Sequence, residues 1–146
     1  MLIKERLLFL LFRLVIVKVI KNMEESQKKV LIIEDDSFLR NLYKDKLEKE
    51  GFSFIEASNG LEGLNKIENE YPNAVILDIL LPIKGGFEIL EEMNKSGLIK
   101  QIPVIILSNL KQDSDIEEAR RLGAVDYFIK TESSSSEVVD RVKYFV

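Results

Sequence analysis

The stretch VILDILLP, residues 75–82, is the part of the sequence that says most about the fold. It is a short apolar run that ends in one carboxylate, Asp78, with Pro82 four residues later. A buried strand normally excludes an unpaired charge, because burying it costs several kcal/mol or forces it to take up a proton. Asp78 therefore lies either at a solvated strand end or in a site whose chemistry needs a carboxylate.

Four further segments have the character of strands. VLII (30–33) and PVIILS (103–108) are continuous apolar runs like AVILD (74–78), which is typical of parallel strands covered on both faces. FSFIEA (52–57) and AVDYFIK (124–130) mix polar with apolar residues, so we predict that they are edge strands.

Helical patterns alternate with these strands, and Gly51 and Gly123 follow the first and the fourth of them. The alternation predicts one α/β domain of the form (βα)5, a doubly wound parallel five-stranded sheet with strand order 2-1-3-4-5. The predicted buried faces of the five helices are Leu39, Leu42, Tyr43 and Leu47; Leu61, Leu64 and Ile67; Phe87, Leu90 and Met93; Ile116, Ala119 and Leu122; and Val138, Val139, Val142 and Phe145.

The composition limits the chemistry that is available. The 146 residues are 46% hydrophobic and 32% charged, which suits one globular domain with a proper core. There is no Cys and no His, so a disulfide framework, a thiolate metal site and the usual zinc ligands and general bases are all excluded. Any chemistry must use carboxylates, hydroxyls and lysines. The lack of cysteine suits a cytoplasmic location.

Charge is distributed unevenly along the chain. Residues 1–22 hold five basic residues and one Glu, and the remainder holds 16 basic and 24 acidic residues, a net charge of −8. This acidic body should repel the nucleic acid backbone, so we expect no direct nucleic acid binding.

The N-terminal leader, residues 1–27, has several interpretations. Its apolar span, residues 7–20, is short for a membrane span and contains Arg13 and Lys18. As a secretory signal it has Lys18 and Lys21 where small cleavage-site residues are expected. An interfacial helix is an alternative, although leucines and phenylalanines occur on nearly every face. The favoured interpretation is a start-site artefact with Met23 as the true start, and membrane contact is expected only if the leader is real.

Polar residues stand where the predicted strands end. In an open parallel sheet, ligands bind at the carboxyl ends of the strands, near the point where the strand order reverses. Each residue alone has a plainer explanation, such as capping of a helix by the acids, but four such explanations would have to coincide. The residues are Glu34, Asp35 and Asp36 after strand 1, Asp78 after strand 3, Ser108 at strand 4 and Lys130 at strand 5.

These side chains together favour phosphoryl chemistry. Closely spaced carboxylates repel one another and need a hard cation, for which Mg²⁺ is suited because it takes oxygen ligands. One carboxylate, with Asp78 as the natural nucleophile, could then attack a phosphoryl group. Ser108 could donate a hydrogen bond to a phosphoryl oxygen, and Lys130 could pair with another.

The sequence resembles the response regulator receiver domain of two-component signalling, which has the flavodoxin-like fold of the chemotaxis regulators. Four motifs in order carry the resemblance: VLIIEDD, VILDILLP followed by Gly85-Gly86, VIILS and DYFIK. The resemblance covers residues 28–146. It implies that Glu34 and Asp35 form the acid pocket, with Asp35 the direct Mg²⁺ ligand, and that the backbone carbonyl of Leu80 also binds the metal.

The resemblance also implies the signalling cycle. Asp78 would accept the phosphoryl group from a histidine kinase or phosphotransfer protein, and Lys130 would hold the phosphoryl charge. Ser108 would then move toward the phosphoryl group while Tyr127 swings inward. The output face would consist of helix 4, strand 5 and helix 5 of the (βα)5 unit, about residues 113–145. Because no output domain follows Val146, we expect a single-domain regulator that docks on a separate downstream protein.

Some positions depart from the family pattern. Thr131 follows Lys130 where the family usually has a cis proline, and a non-proline cis bond would cost about 2.5–4 kcal/mol, so the bond is either trans or strained. Leu80 and Leu110 stand where polar residues could align a hydrolytic water, which predicts slow self-dephosphorylation. A phosphatase would need a second aspartate at Leu80, and EDDSFLR lacks a dinucleotide fingerprint. The serious alternative is an interaction module that works without phosphorylation.

Overall fold

The computed structural model describes residues 2–24 and 27–146. An N-terminal helix, α1 (Ile3–Glu24), comes before an alternating series of strands and helices. A short 3-10 helix, Leu98–Lys100, follows α4. The series is β1 (Lys29–Ile33), α2 (Ser37–Lys49), β2 (Ser53–Ala57), α3 (Gly60–Glu70), β3 (Ala74–Leu77), α4 (Gly86–Ser96), β4 (Val104–Ser108), α5 (Asp113–Arg121), β5 (Asp126–Ile129) and α6 (Ser135–Phe145).

The five strands form one parallel sheet in the order β2-β1-β3-β4-β5. This confirms the predicted flavodoxin-like fold, and it confirms that the two mixed strands, β2 and β5, lie at the edges. The register pairs Ile33 of β1 with Leu77 of β3, and Leu77 with Ile106 of β4. The carboxyl ends of the three central strands therefore meet at the same edge of the sheet.

The core consists of two layers, one on each face of the sheet. Leu31 and Ile33 of β1 pack in the layer that contains α3, α4 and α5. Val30 and Ile32 pack in the opposite layer with α2 and α6. Successive side chains of a strand point to opposite faces, so a strand covered on both sides is apolar throughout, as the sequence of β1 indicated.

Two of the residues predicted to face the core are in fact exposed. Leu42 is 38% exposed and Leu61 is 47% exposed. In α3 the reason is Gly63, where a Cβ would lie 2.5 Å from Cδ1 of Ile33. The helix therefore approaches β1 through its glycine, with Leu64 buried beside it, and Leu61 is turned toward solvent.

Helix α1 has a different character from the rest of the chain. Its 14 apolar side chains are all exposed, from 41% at Ile16 to 78% at Ile3. Among the residues that the structure describes, no helix has both the length and the apolar character that crossing a membrane requires. Met23, the favoured start, lies within α1, and residues 1, 25 and 26 of the predicted leader lie outside the described residues.

Candidate functional site

Two buried carboxylates lie side by side at the carboxyl edge of the sheet. Glu34 follows β1 and Asp78 follows β3, and the backbone N–H of Asp78 donates to the carbonyl of Ile33 at 3.1 Å. Glu34 is 2% exposed and Asp78 is 4% exposed. The structure therefore buries two acids at this edge of the sheet, and not only the Asp78 of VILDILLP.

Lys130 is the partner of both acids. Its backbone N–H donates to the carbonyl of Ser108 at 3.0 Å, which fixes the end of β5 against β4. Its Nζ lies 2.6 Å from Oδ2 of Asp78 and 2.9 Å from Oε1 of Glu34. The peptide bond between Lys130 and Thr131 is trans, so the ammonium reaches both carboxylates without a cis bond.

Asp35 adds a third carboxylate to this pair. Asp35 is exposed, and each of Glu34, Asp35 and Asp78 offers an oxygen that lies within 4.8 Å of the other two. When all three carboxylates are ionised, the one ammonium of Lys130 leaves two of their negative charges uncompensated. A set of carboxylate oxygens with this residual charge fits a hard divalent cation such as Mg²⁺.

The electrostatics of the group reflect its burial. Burial raises the pKa of Glu34 to about 7; the hydrogen bond from Lys130 opposes this rise, and the adjacent Asp78 carboxylate adds to it. For Lys130, burial alone would lower the pKa, but the hydrogen-bonded carboxylates of Asp78 and Glu34 outweigh burial and raise it. Lys130 therefore stays a cation, and its ammonium donates to two carboxylates at once, those of Asp78 and Glu34.

The loop after Asp78 is packed closely against the phosphoacceptor candidate. A Cβ at Gly86 would lie 2.4 Å from the carbonyl oxygen of Asp78, so only glycine fits there. The backbone N–H of Leu80 donates to Oδ1 of Asp78 at 3.3 Å, while the Leu80 side chain is 60% exposed. Leu80 thus lies at the open side of the carboxylate.

One residue in this loop has a strained backbone. Ile83 has φ +70°, and the N–H of Lys84 donates to the carbonyl of Pro82 at 2.8 Å, which closes a γ-turn around Ile83. A β-branched residue is rarely found in this region of the backbone map. The side chain is 76% exposed, so burial gives little compensation for the strain.

Ser108 and Tyr127 are linked through the loop that follows β4. Ser108 is fully buried, and its Oγ accepts a hydrogen bond from the N–H of Leu110 at 3.4 Å. The hydroxyl of the half-buried Tyr127 donates to the carbonyl of Leu110 at 2.6 Å. Burial raises the pKa of Tyr127, and the negative charge of Asp115 acts in the same direction. The backbone of Leu110 therefore connects the two predicted switch residues.

The three consecutive acids after β1 have three different environments. Asp36 is the N-cap of α2, since its Oδ1 accepts from the N–H groups of Phe38 at 2.9 Å and Leu39 at 3.4 Å. The capping explanation thus applies to Asp36, whereas Glu34 and Asp35 lie in the group of carboxylates with Asp78.

Arg40 is a site residue that sequence reasoning missed. Its Nη1 donates to the backbone carbonyl of Glu34 at 2.7 Å, and its Nε donates to Glu56 at 3.1 Å. It therefore braces the acidic loop from the first turn of α2. No signal in the sequence indicated this role, because the partner of Arg40 in the acidic loop is a backbone carbonyl, which side-chain patterns do not reveal.

Comparison with known proteins gives a consistent result. The family model described as "Response regulator receiver domain" matches residues 30–143. Sporulation initiation phosphotransferase F of Bacillus subtilis is 34% identical over 119 residues, which are 82% of this chain and 94% of that protein. The probable transcriptional regulator ycf27 of Pyropia yezoensis is 32% identical over 108 residues, 74% of this chain but 43% of that protein. The chain thus spans less than half the length of this second relative.

Solved structures also match. A Francisella response regulator receiver domain is 29% identical with a TM-score of 0.76, and the match covers 82% of this chain and 96% of that one. A receiver domain protein from Methanospirillum hungatei is 30% identical with a TM-score of 0.75, covering 82% of this chain and 93% of the other.

Proposed function

Because the chain belongs to the response regulator receiver family, we propose that Asp78 accepts a phosphoryl group from a histidine kinase or a phosphotransfer protein. The observation that carries the proposal is the contact of Lys130 with both buried carboxylates, next to the exposed Asp35. Receiver domains are signalling domains that generally bind Mg²⁺ at an acidic pocket. For this chain we assign the metal ligands to the carboxylates of Glu34, Asp35 and Asp78 and to the backbone carbonyl of Leu80.

The proposed reaction is an in-line transfer that the domain itself assists. An ionised oxygen of Asp78 attacks the phosphorus, the bond from phosphorus to the donor histidine nitrogen breaks, and the electron pair remains on that nitrogen. Lys130 pairs with a phosphoryl oxygen, and the hydroxyl of Ser108 donates to another. Bound Mg²⁺ would supply charge neutralisation for the phosphoryl oxygens.

We propose that the signal leaves the site through the Leu110 backbone. If Ser108 turns toward a phosphoryl oxygen, its Oγ leaves the N–H of Leu110, which it now contacts at a long 3.4 Å. The loop can then move, and Tyr127 loses its acceptor on the carbonyl of Leu110. The surface formed by α5, β5 and α6, residues 113–145, would change with Tyr127 and bind a downstream protein.

The division of the chain is also a proposal. We assign residues 28–146 to the receiver domain and residues 1–27 to a separate leader. A single-domain regulator is supported by the relative from Bacillus subtilis that the chain matches over 94% of its length. The lack of Cys in the sequence suits the cytoplasmic location that we propose. N-terminal mass spectrometry of the native protein tests the leader. A peptide from residues 7–20 would exclude the start-site artefact.

Phosphotransfer tests the function. Histidine kinases carrying radiolabelled phosphate are mixed with the wild-type protein, with Asp78→Asn and with Asp36→Asn as a control that changes a neighbouring acid. We expect label on the wild type and on the control, and none on Asp78→Asn. Equal labelling of Asp78→Asn would contradict the proposal. A protein that signals without any labelling would be the interaction module that works independently of phosphate.

A further inference from the structure

We propose that α1 lies in the interface of an anionic lipid bilayer and holds the receiver domain at the membrane surface. This inference goes beyond the proposed function and does not depend on phosphorylation. It rests on the exposure of the apolar side chains of α1, on their arrangement around the helix and on the charge of the segment.

The apolar surface of α1 is far larger than a folded domain normally exposes. All 14 of its apolar side chains are at least 41% exposed, including Phe9 and Phe12 at 55% and 63%. A helix at the surface of a globular protein usually buries an apolar stripe against the core. A continuous exposed apolar surface of this kind marks an interaction site.

The apolar residues are not distributed evenly around the helix. Because an α-helix has 3.6 residues per turn, residues three and four apart lie on the same side. In α1 one side, roughly 140° wide, has Glu5 in the first turn and only apolar residues after it. None of the five basic residues falls on this side, which we call the apolar side of α1. It consists of Leu8, Phe9, Phe12, Val15, Ile16, Val19, Ile20 and Met23.

The charge of α1 indicates which kind of surface it fits. Five basic and two acidic residues give α1 a net charge of +3, whereas residues 25–146 hold 16 basic and 23 acidic residues, a net charge of −7. An anionic lipid surface attracts basic residues, by roughly fivefold in affinity for each Lys or Arg near it. Long basic side chains such as Arg6 and Arg13 can bury their stems and keep their charges in water.

A second copy of the chain would cover α1 less completely. Phe9, Phe12, Ile16 and Val19 follow the alternating spacing of three and four residues that a coiled-coil seam needs. Such a seam is narrow, so it would leave the residues at both edges of the apolar side in water. A bilayer covers the whole width of the apolar side, and an anionic bilayer also attracts the basic residues of α1.

Vesicle flotation of the full-length protein tests the inference. The probes are vesicles of phosphatidylcholine alone and of phosphatidylcholine mixed with phosphatidylglycerol. We expect the protein to float with the anionic vesicles and much less with the neutral ones, and we expect added salt to weaken binding. Asp78→Asn should float like the wild type, so failure of the phosphoacceptor proposal and failure of this one are distinguishable.

Matched double variants test the role of the apolar side. Phe12→Gln with Ile16→Gln changes the apolar side, and Leu10→Gln with Val17→Gln makes the same kind of change on the opposite side. Removing two fully inserted apolar side chains should lower vesicle affinity by roughly a hundredfold or more, against less than about tenfold for the control pair. The thermal unfolding of the receiver domain should be the same in both variants.

Several results would overturn the inference. The inference is wrong if the full-length protein floats with neither kind of vesicle. It is also wrong if the two double variants lose equal amounts of vesicle affinity. Self-association that the first double variant abolishes, without vesicle binding, would identify a second copy as the partner of α1. A native protein that begins at Met23 would remove the helix altogether.

Discussion

The phosphoryl group on Asp78 should be long-lived, because two apolar side chains stand where a hydrolytic water would have to be held. Hydrolysis needs a water aligned behind the phosphorus, and alignment by a fixed polar group is a large part of its rate. The N–H of Leu80 contacts Oδ1 of Asp78, so the Leu80 side chain begins next to the site. Leu110 lies in the loop after β4, and its N–H donates to Oγ of Ser108. Neither side chain can accept or donate a hydrogen bond, so we expect slow self-dephosphorylation.

The perturbations are Leu80→Asn and Leu110→Glu, each of which adds a group that can hold water. One such hydrogen bond contributes about 0.5–1.5 kcal/mol, which corresponds to a rate increase of about 2- to 13-fold. Leu80 is 60% exposed, so Leu80→Asn should change the free energy of unfolding by no more than about 0.5 kcal/mol.

The assay follows release of phosphate from purified labelled protein after the kinase has been removed. Leu80→Met and Leu110→Met keep the sites apolar and serve as controls, and we expect their rates to match that of the wild type. The reasoning is refuted if neither polar substitution speeds phosphate loss, or if the methionine controls speed it equally.

Three further predictions concern single residues and can be checked by titration or by chemical and thermal unfolding. Asp35→Asn should weaken Mg²⁺ binding without a large loss of stability, whereas Asp36→Ala should remove the N-cap of α2 and cost about 1 kcal/mol; the reverse pattern would contradict the assignment of the two acids. Ile83→Gly should relieve the left-handed backbone strain and raise the free energy of unfolding by about 1 kcal/mol, and a loss of stability would refute this. The N–H of Ser58 donates to Glu62 and lowers the pKa of that carboxyl. The stability that this contact contributes is therefore present above the unfolded-state pKa of about 4.3 and is lost as pH falls through the lower folded-state pKa. Glu62→Gln should reduce this loss of stability in acid, and an unchanged dependence of the free energy of unfolding on pH would contradict the prediction.

The sheet and the location of the site could be predicted from the sequence because both follow from strand order. Continuous apolar runs indicated the buried strands, and the parallel arrangement places their carboxyl ends at the same edge. The contact of Lys130 with Asp78 and Glu34 is consistent with that reasoning.

The finer details depend on local geometry that the sequence does not contain. Glu34, Asp35 and Asp36 are chemically similar neighbours, and only the path of the turn into α2 decides that the first is buried, the second is exposed and the third caps the helix. In the same way, Leu61 fits the apolar spacing of α3 but is exposed, because Gly63 is the residue that approaches the sheet. The trans bond after Lys130 was likewise one of two open alternatives.

Magnesium-dependent binding of beryllofluoride, which mimics a phosphoryl group on a carboxylate, tests the central claim most directly. Thermal unfolding is measured with magnesium, with beryllofluoride and with both, for the wild type and for Asp78→Asn. A ligand that binds only the folded state at about 100 times its dissociation constant adds about 2.7 kcal/mol. We predict that Tm of the wild type rises by several degrees when both are present, and that Asp78→Asn shows no such rise. An equal rise in both proteins, or no rise in either, would contradict the assignment of Asp78 as the phosphoacceptor.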